Sequence, residues 1–493
     1  MYYVSTRDSS LRYTAPQAIV QGLSRDGGLF LPETIPTLEA GALERLAGLS
    51  YVERAVDVMK RYLDEFTAEE LRGFAEKAYG PQKFDVPQAA PLRQIDENTA
   101  VLELWHGPTC AFKDMALQML PYLLTASLRK TGEEKTACIL VATSGDTGKA
   151  ALEGFRDVPH TKILVFYPKD GVSDIQKLQM VTQEGENVGV CAVNGNFDDA
   201  QTGVKRIFSD AALREKLAAD GKLLSSANSI NWGRVLPQIV YYVSAYCDML
   251  NAGAVRMGET VNVCVPTGNF GNILAAYYAK CMGVPLGKLI CASNSNDVLT
   301  EFIRTGVYDR NRPFYTTMSP SMDILISSNL ERLLYLLSGS DETVRGYMWQ
   351  LSETGRYEVS PELHEKIRDI FACGSCGETA TADTIRNVFE THRYLIDTHT
   401  AVAWDVLDAY RKETGDMRPA VVASTASAFK FCASVLPALG VTELKAGTEI
   451  LSQLSERTGQ PAPAPLALLS GKAVRFTVST DKERMEQAVM ELL

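Results

Sequence analysis

The residues best placed to do chemistry lie in Glu103-Leu-Trp-His-Gly-Pro-Thr-Cys-Ala-Phe-Lys-Asp-Met115, where Lys113 stands between a turn and an apolar helical run. Gly107-Pro108 marks the turn, Thr109 is placed to cap the helix after it, and Met115, Leu117, Met119 and Leu120 predict that this helix lasts to about Leu128. Lys113 thus falls in a first helical turn. A cation there opposes the helix dipole by roughly 0.3–1 kcal/mol unless the amine is neutral, bonded as an imine, or facing an anion. Each exception is chemically useful, because only the free amine attacks a carbonyl in Schiff-base catalysis. The alternative is an ordinary surface lysine beside a helix start.

Two glycine-bearing stretches bear on that choice. Ala137-Cys-Ile-Leu-Val-Ala-Thr-Ser-Gly-Asp-Thr-Gly148 reads as a strand, a turn and a helix from Lys149 to about Phe155. Val261-Asn-Val-Cys-Val-Pro-Thr-Gly-Asn-Phe-Gly-Asn272, followed by a helix over Ile273–Met282, repeats the pattern. In both, backbone N–H groups converge where a helix dipole favours an anion. Neither is a nucleotide fingerprint. The first has the wrong glycine spacing for a P-loop and Ala150 where a hydroxyl belongs, and GxGxxG is absent. A third polar stretch, with Asn228, Ser229, Asn231 and Arg234, enters a helix over Val235–Leu250 and offers a guanidinium fork for phosphate or carboxylate. Its alternative is a capping network. Together, an imine-forming lysine, two anion cradles and an arginine suit a cofactor with an aldehyde and a phosphate, plus an anionic substrate. Pyridoxal phosphate has both groups.

The elements that must position these residues can be read from the order of the chain. Residues 1–90 read as a mostly helical domain, ending in Val86-Pro-Gln-Ala-Ala-Pro-Leu92. Residues 91–440 alternate short β-rich runs with helices, the pattern of a parallel sheet covered on both faces, interrupted by a helical insertion over about 305–395. Residues 441–493 form a tail that packs on this body. Hydrophobic content of 46%, charged content of 22% and a net charge of −11 describe a soluble protein without a basic block for nucleic acid. No run approaches the roughly 18 apolar residues of a membrane span, and the start lacks an export signal, so a cytoplasmic setting is expected. The ten cysteines form no disulfide framework, and Cys373-Gly-Ser-Cys376 is a weak metal motif by itself. With five histidines and no HExxH, no metal is expected.

The chain resembles the threonine synthases, which share a fold with the tryptophan synthase β chain. The likeness runs through Tyr3-Val-Ser-Thr-Arg7, GLSRDGGLFLP at Gly22–Pro32, His106-Gly-Pro-Thr109 with Ala111-Phe-Lys-Asp114, TSGDTG at Thr143–Gly148, and Asn228–Arg234. It continues through PTGNFG at Pro266–Gly271, SPSMD at Ser319–Asp323, Asp397–Val402 and Ser424-Thr-Ala426, in family order to about residue 431. The resemblance implies pyridoxal-phosphate fold type II, an α/β fold with two parallel-sheet lobes. It also implies a carbon–oxygen lyase acting on phosphates, which converts O-phospho-L-homoserine and water to L-threonine and phosphate as the final step of threonine biosynthesis.

By the same resemblance, Lys113 forms the imine with pyridoxal phosphate, and Gly268, Asn269, Phe270, Gly271 and Asn272 hold its phosphate. Asp146 lies near the 3′-oxygen, and Thr425 meets the ring nitrogen. Ser144, Thr147, Asn228, Ser229 and Arg234 take the substrate's phosphate and carboxylate. One departure stands out: many members have His-Pro before Ala-Lys-Phe, whereas this chain has Ser427-Ala428-Phe429-Lys430-Phe431. His399 has two readings, orienting a loop or satisfying a helix start. Oligomeric state stays open between monomer and homodimer. The rival functions are a serine or threonine dehydratase, a phospholyase for a related amino-alcohol phosphate, and a non-catalytic phosphate-ligand module.

Overall fold

Two parallel sheets carry the body of the molecule. The computed structural model describes residues 1–169 and 172–492, with Asp198 described by its backbone alone. The larger sheet runs, in spatial order, through Phe371–Ser375, Leu286–Ser293, Val261–Pro266, Ala420–Ser424, Thr99–Glu103 and Leu92–Gln94. All neighbours are parallel except the antiparallel edge pair Leu92–Gln94 and Thr99–Glu103. The second sheet runs Ser479–Asp481, Val188–Asn194, Thr161–Pro168, Thr136–Ala142 and Lys222–Ser226, all parallel. Central strands such as Thr136–Ala142 are buried from Ala137 onward, which is why they read as continuous apolar runs.

The chain crosses from the first sheet to the second through residues 104–135, the stretch that contains Lys113. It returns along the helix Trp232–Asn251, which is buried on almost every side. That helix is also the floor for the N-terminal residues. Tyr3 and Tyr62 pack their rings 5.6 and 5.7 Å from Trp232, and buried Arg54 bonds Asp248 at 2.6 Å and the Ser244 hydroxyl at 2.7 Å. The N-terminal helices Ala15–Gln21, Tyr51–Lys60 and Ala68–Tyr79 each begin in a capping box, on Thr14, Ser50 and Thr67. Strands Tyr3–Ser5, Arg12–Tyr13 and Phe30–Pro32 form a small antiparallel sheet there, too short for any alternation to reveal in the sequence.

The structure departs from the sequence reading in three places. The stretch read as a helical insertion also holds a hairpin pair, Val307–Asp309 with Arg356–Glu358, and the strand Phe371–Ser375 that edges the larger sheet. That strand carries Cys373, and its Gly374 and flanking charged helices hide any β pattern. The helix after Lys113 is broken: Asp114–Leu117 stops and Leu120–Thr131 starts afresh. Pro121 is the cause, because it has no N–H to give the Leu117 carbonyl and its ring crowds that group. Thr109 does not cap the helix with its side chain. Instead the Asp114 carboxylate accepts from the Thr109 backbone N–H and hydroxyl, both at 2.8 Å, which closes the turn from the other end.

The Leu117 carbonyl released by Pro121 faces Gly154, where an added Cβ would lie 2.1 Å from the oxygen. Gly154→Ala should therefore push apart the helix Asp146–Phe155 and the short Lys113 helix. We expect a loss of about 1–3 kcal/mol, read as a lower midpoint of thermal or denaturant unfolding.

Candidate active site

Lys113 stands at the entrance of its four-residue helix with its side chain 11% exposed. Its Nζ donates to the Ser321 hydroxyl at 3.4 Å and lies 3.8 Å from the Asp146 carboxylate. Burial lowers the amine to about 8, with repulsion from Lys430 and Arg234 adding to the shift and Asp146 opposing it. A sizeable fraction of free amine near neutrality is what attack on a carbonyl requires.

Asp146 is the first residue of the helix Asp146–Phe155 and is 3% exposed. Burial would raise its carboxyl, but Lys430 and Lys113 outweigh that and hold it below the usual carboxylate range. Lys430 is fully buried and sits 2.6 Å from Asp146, and Gln176 donates to the same oxygen at 2.8 Å. Gly145 permits this arrangement with a φ of +139° and a Cα against the Gln176 amide, where a Cβ would come within 2.5 Å. Ser144 and Thr147, both half-buried, flank Asp146 in that turn.

Across the cleft, Val261–Pro266 delivers Gly268 to Asn272 into the start of the helix Gly271–Cys281. Phe270 takes a left-handed φ of +62°, which turns successive backbone N–H groups the same way. Gly268 has no room for a side chain, since a Cβ would lie 2.7 Å from the Ser321 carbonyl. Asn272 accepts from the hydroxyls of Tyr241, at 2.8 Å, and Tyr242. Its buried Nδ2 has no hydrogen-bond partner among the described residues. A turn with no room for a side chain at Gly268, a helix N-terminus and an unpaired buried donor together fit a phosphate group.

Arg234, in the first turn of Trp232–Asn251, is 3% exposed and donates to the Ala227 carbonyl. Its Nε is buried without a partner among the described residues, and burial lowers the guanidinium to about 10. An arginine held this way is suited to receive an anion. Ser229 joins the second cradle through Asn329, whose amide donates to the Ser229 hydroxyl at 3.3 Å and to the Asn269 carbonyl at 3.0 Å. Asn228 is half-buried in the same segment, its N–H bonded to Ser226. Thr425 is 5% exposed, and its carbonyl accepts from the Phe112 N–H at 2.8 Å, so the strand end lies against the Lys113 segment.

Four further residues belong to this site: Ser321 of the SPSMD stretch, Lys430 of the 427–431 stretch, and Gln176 and Asn329, which carry no sequence signal of their own. Each acts through tertiary contacts with distant segments. His399 is resolved in favour of orienting a loop. Its Nδ1 bonds Asp397 at 2.7 Å, so Nε2 is free to accept from the Ser321 backbone N–H at 3.1 Å. Asp397 meanwhile caps the helix Thr398–Thr414 with its own carboxylate. Residues 317–323 are fastened again at Asp323, which accepts from Asn294, Asn296 and Thr317 at 2.7–3.0 Å. His399→Phe removes the acceptor and strands a buried N–H, at a cost of about 1–3 kcal/mol. Hydrogen exchange of a peptide covering 317–324 should then quicken by about tenfold or more, while peptides from the second sheet stay unchanged.

Comparison with known proteins places the site in context. Residues 2–79 match the family described as "Threonine synthase N terminus", and residues 88–426 match "Pyridoxal-phosphate dependent enzyme". The chain is 43% identical over 439 residues to "Threonine synthase-like 1" of Macaca fascicularis, covering 87% of this chain but 58% of that longer protein. It is 35% identical over 523 residues to "Threonine synthase" of Saccharomyces cerevisiae, covering 100% of this chain and 98% of the relative. The crystal structure of pyridoxal-phosphate-bound threonine synthase from Brucella melitensis superposes with a TM-score of 0.88 at 38% identity, covering 100% and 99% of the two chains. The yeast enzyme's structure superposes equally well, with a TM-score of 0.88 at 33% identity.

Proposed function

The chain belongs to the threonine synthase family of pyridoxal-phosphate-dependent enzymes of fold type II, and from that premise we propose that it converts O-phospho-L-homoserine and water to L-threonine and phosphate. The observation that carries the reading is the buried Lys113 amine, lowered to about 8, with Arg234 near enough to repel it. Bound pyridoxal phosphate supplies an aldehyde carbon that bonds an amine, and an electron sink for the carbon beside it. The residues to hold it are Lys113 at the aldehyde and Gly268, Asn269, Phe270, Gly271 and Asn272 at the phosphate, with Asp146 and Thr425 at the ring. Thr425 would offer the ring nitrogen a neutral hydroxyl in place of a carboxylate, which would leave that nitrogen unprotonated.

The chain's own groups account for the remaining demands. Elimination of a γ-phosphate and hydration at Cβ each move protons, and Lys113 Nζ, partly free near neutrality, is placed to take and return them. The Arg234 guanidinium and the helix start at Asp146 stabilise the departing phosphate, with Ser144, Thr147, Asn228 and Ser229 orienting the substrate around it. Residues 317–323, pinned by His399 and Asp323, hold the Ser321 hydroxyl 3.4 Å from the Lys113 amine. The free cysteines and the absence, among the described residues, of a helix able to cross a membrane are compatible with a cytoplasmic setting. We keep monomer and homodimer as the two assembly states.

The purified protein with pyridoxal phosphate and O-phospho-L-homoserine should release threonine and phosphate in equal amounts. Lys113→Ala should lower the rate by about 10³-fold or more. Release of 2-oxobutyrate, or of pyruvate from serine, without threonine would mark a dehydratase instead. Because only the free amine attacks, the rate at which Lys113 takes up the cofactor should climb with pH and level off above about 8.

A further inference from the structure

We propose that Lys430 is the resident counter-ion of Asp146, a positioning residue that leaves the Lys113 amine free to react. The proposal rests on the reading of Lys113 as the reacting amine and concerns how its reactivity is set. Two buried lysines compete for one buried carboxylate. Lys430 reaches Asp146 at 2.6 Å and Lys113 only at 3.8 Å. Lys430 is also the more firmly held of the two, because its Nζ donates to the Thr109 carbonyl at 2.9 Å and Gln176 braces the shared oxygen. Its side chain has no exposed surface, so it has no alternative in water. A carboxylate already paired with one amine at 2.6 Å attracts a second amine, 3.8 Å away, less strongly than it would if that partner were absent.

The placement is structural as well as electrostatic. Asp146 opens a helix of the second sheet's lobe, while Lys430 lies on the short turn Ala428–Phe431 after the Ala420–Ser424 strand of the first. The ion pair therefore joins the two lobes directly behind the reacting amine. The charged groups that face Lys113 are Asp146, Lys430, Arg234 and Asp397. Besides Asp146, the titratable groups near Lys430 include Lys113, Asp114 and Cys110. Removing the Lys430 charge both frees Asp146 to hold a protonated Lys113 and takes away a repelling cation, so both effects act in the same direction. The departure Ser427-Ala428 just before it leaves this lysine in place.

The test uses the protein free of cofactor and reads the amine itself. Acetic anhydride labelling of Lys113 is followed by peptide mass analysis across pH, relative to an exposed lysine such as Lys216. In the parent protein, labelling should reach half its maximum near pH 8. Lys430→Met should cut Lys113 labelling at pH 7.5 by about tenfold, the effect of about one pKa unit on the free amine. Lys430→Gln carries the same expectation while keeping a hydrogen-bond donor toward Thr109, and serves if the methionine variant does not fold. Lys430→Arg should stay within about twofold of the parent. The double variant Asp146→Asn, Lys430→Met should recover parental labelling, because the competing carboxylate is gone as well. Parental labelling in Lys430→Met or Lys430→Gln, or no recovery in the double variant, overturns the proposal. Failure of O-phospho-L-homoserine turnover with these labelling results intact would instead fault the substrate assignment.

Discussion

A buried carboxylate between two buried amines is the constraint around which the rest of the molecule is arranged. Charges removed from water are tolerated only when paired and hydrogen-bonded, and the Asp146 cluster meets that demand with groups from four separate segments. Lys113 comes from the crossing between sheets, Gln176 from the helix Asp174–Val181, Lys430 from the turn after Ala420–Ser424, and Asp146 from a helix start. Every one of those segments must be in register for the cluster to be satisfied. The cluster therefore fixes how the two sheets face each other as well as what their cleft can do.

A second layer of buried polar wiring keeps the opposite wall in place. Arg332, with no exposed surface, donates to the Phe30 and Ile230 carbonyls and to Asn329. Asn329 in turn holds both Ser229 and the Asn269 carbonyl. One guanidinium thus ties the N-terminal strand Phe30–Pro32, the segment before Arg234 and the Gly268–Asn272 turn into a single frame. Next to it, Glu331 accepts from the Thr6 hydroxyl at 2.5 Å and from Arg7 at 2.7 and 2.8 Å. The N-terminal residues consequently act as a buttress for the cleft.

How much of this was legible in the sequence depends on how local each signal is. Lys113 and both glycine turns were legible because a strand, a turn and a helix start sit within a dozen residues, and the chemistry depends on that spacing. The buried strands were legible from continuous apolar runs. Gln176 was not, since nothing around it in the chain differs from an ordinary amphipathic helix; Ser321 lies in the SPSMD stretch and Lys430 beside the Ser427-Ala428 departure, but the contacts of both are with partners far away in sequence. The strand Phe371–Ser375 escaped because five residues containing a glycine show no periodicity. The break after Leu117 is encoded by Pro121, but the apolar positions continue through it and mask its consequence.

The strand Ser479–Asp481 seals the side of the second sheet by pairing with Val188–Asn194, and the Asn194 amide grips the Asp481 carboxylate 287 residues further on. Until that late segment emerges, Val188–Asn194 presents open main-chain groups to its surroundings. At synthesis rates of about 5–20 residues per second, the wait on the ribosome lasts roughly 15–60 s. For that interval the lobe bearing Asp146 has a bare flank able to pair with a neighbouring nascent chain. Maturation of this lobe is thereby bound to translation speed and to whatever shields the flank meanwhile.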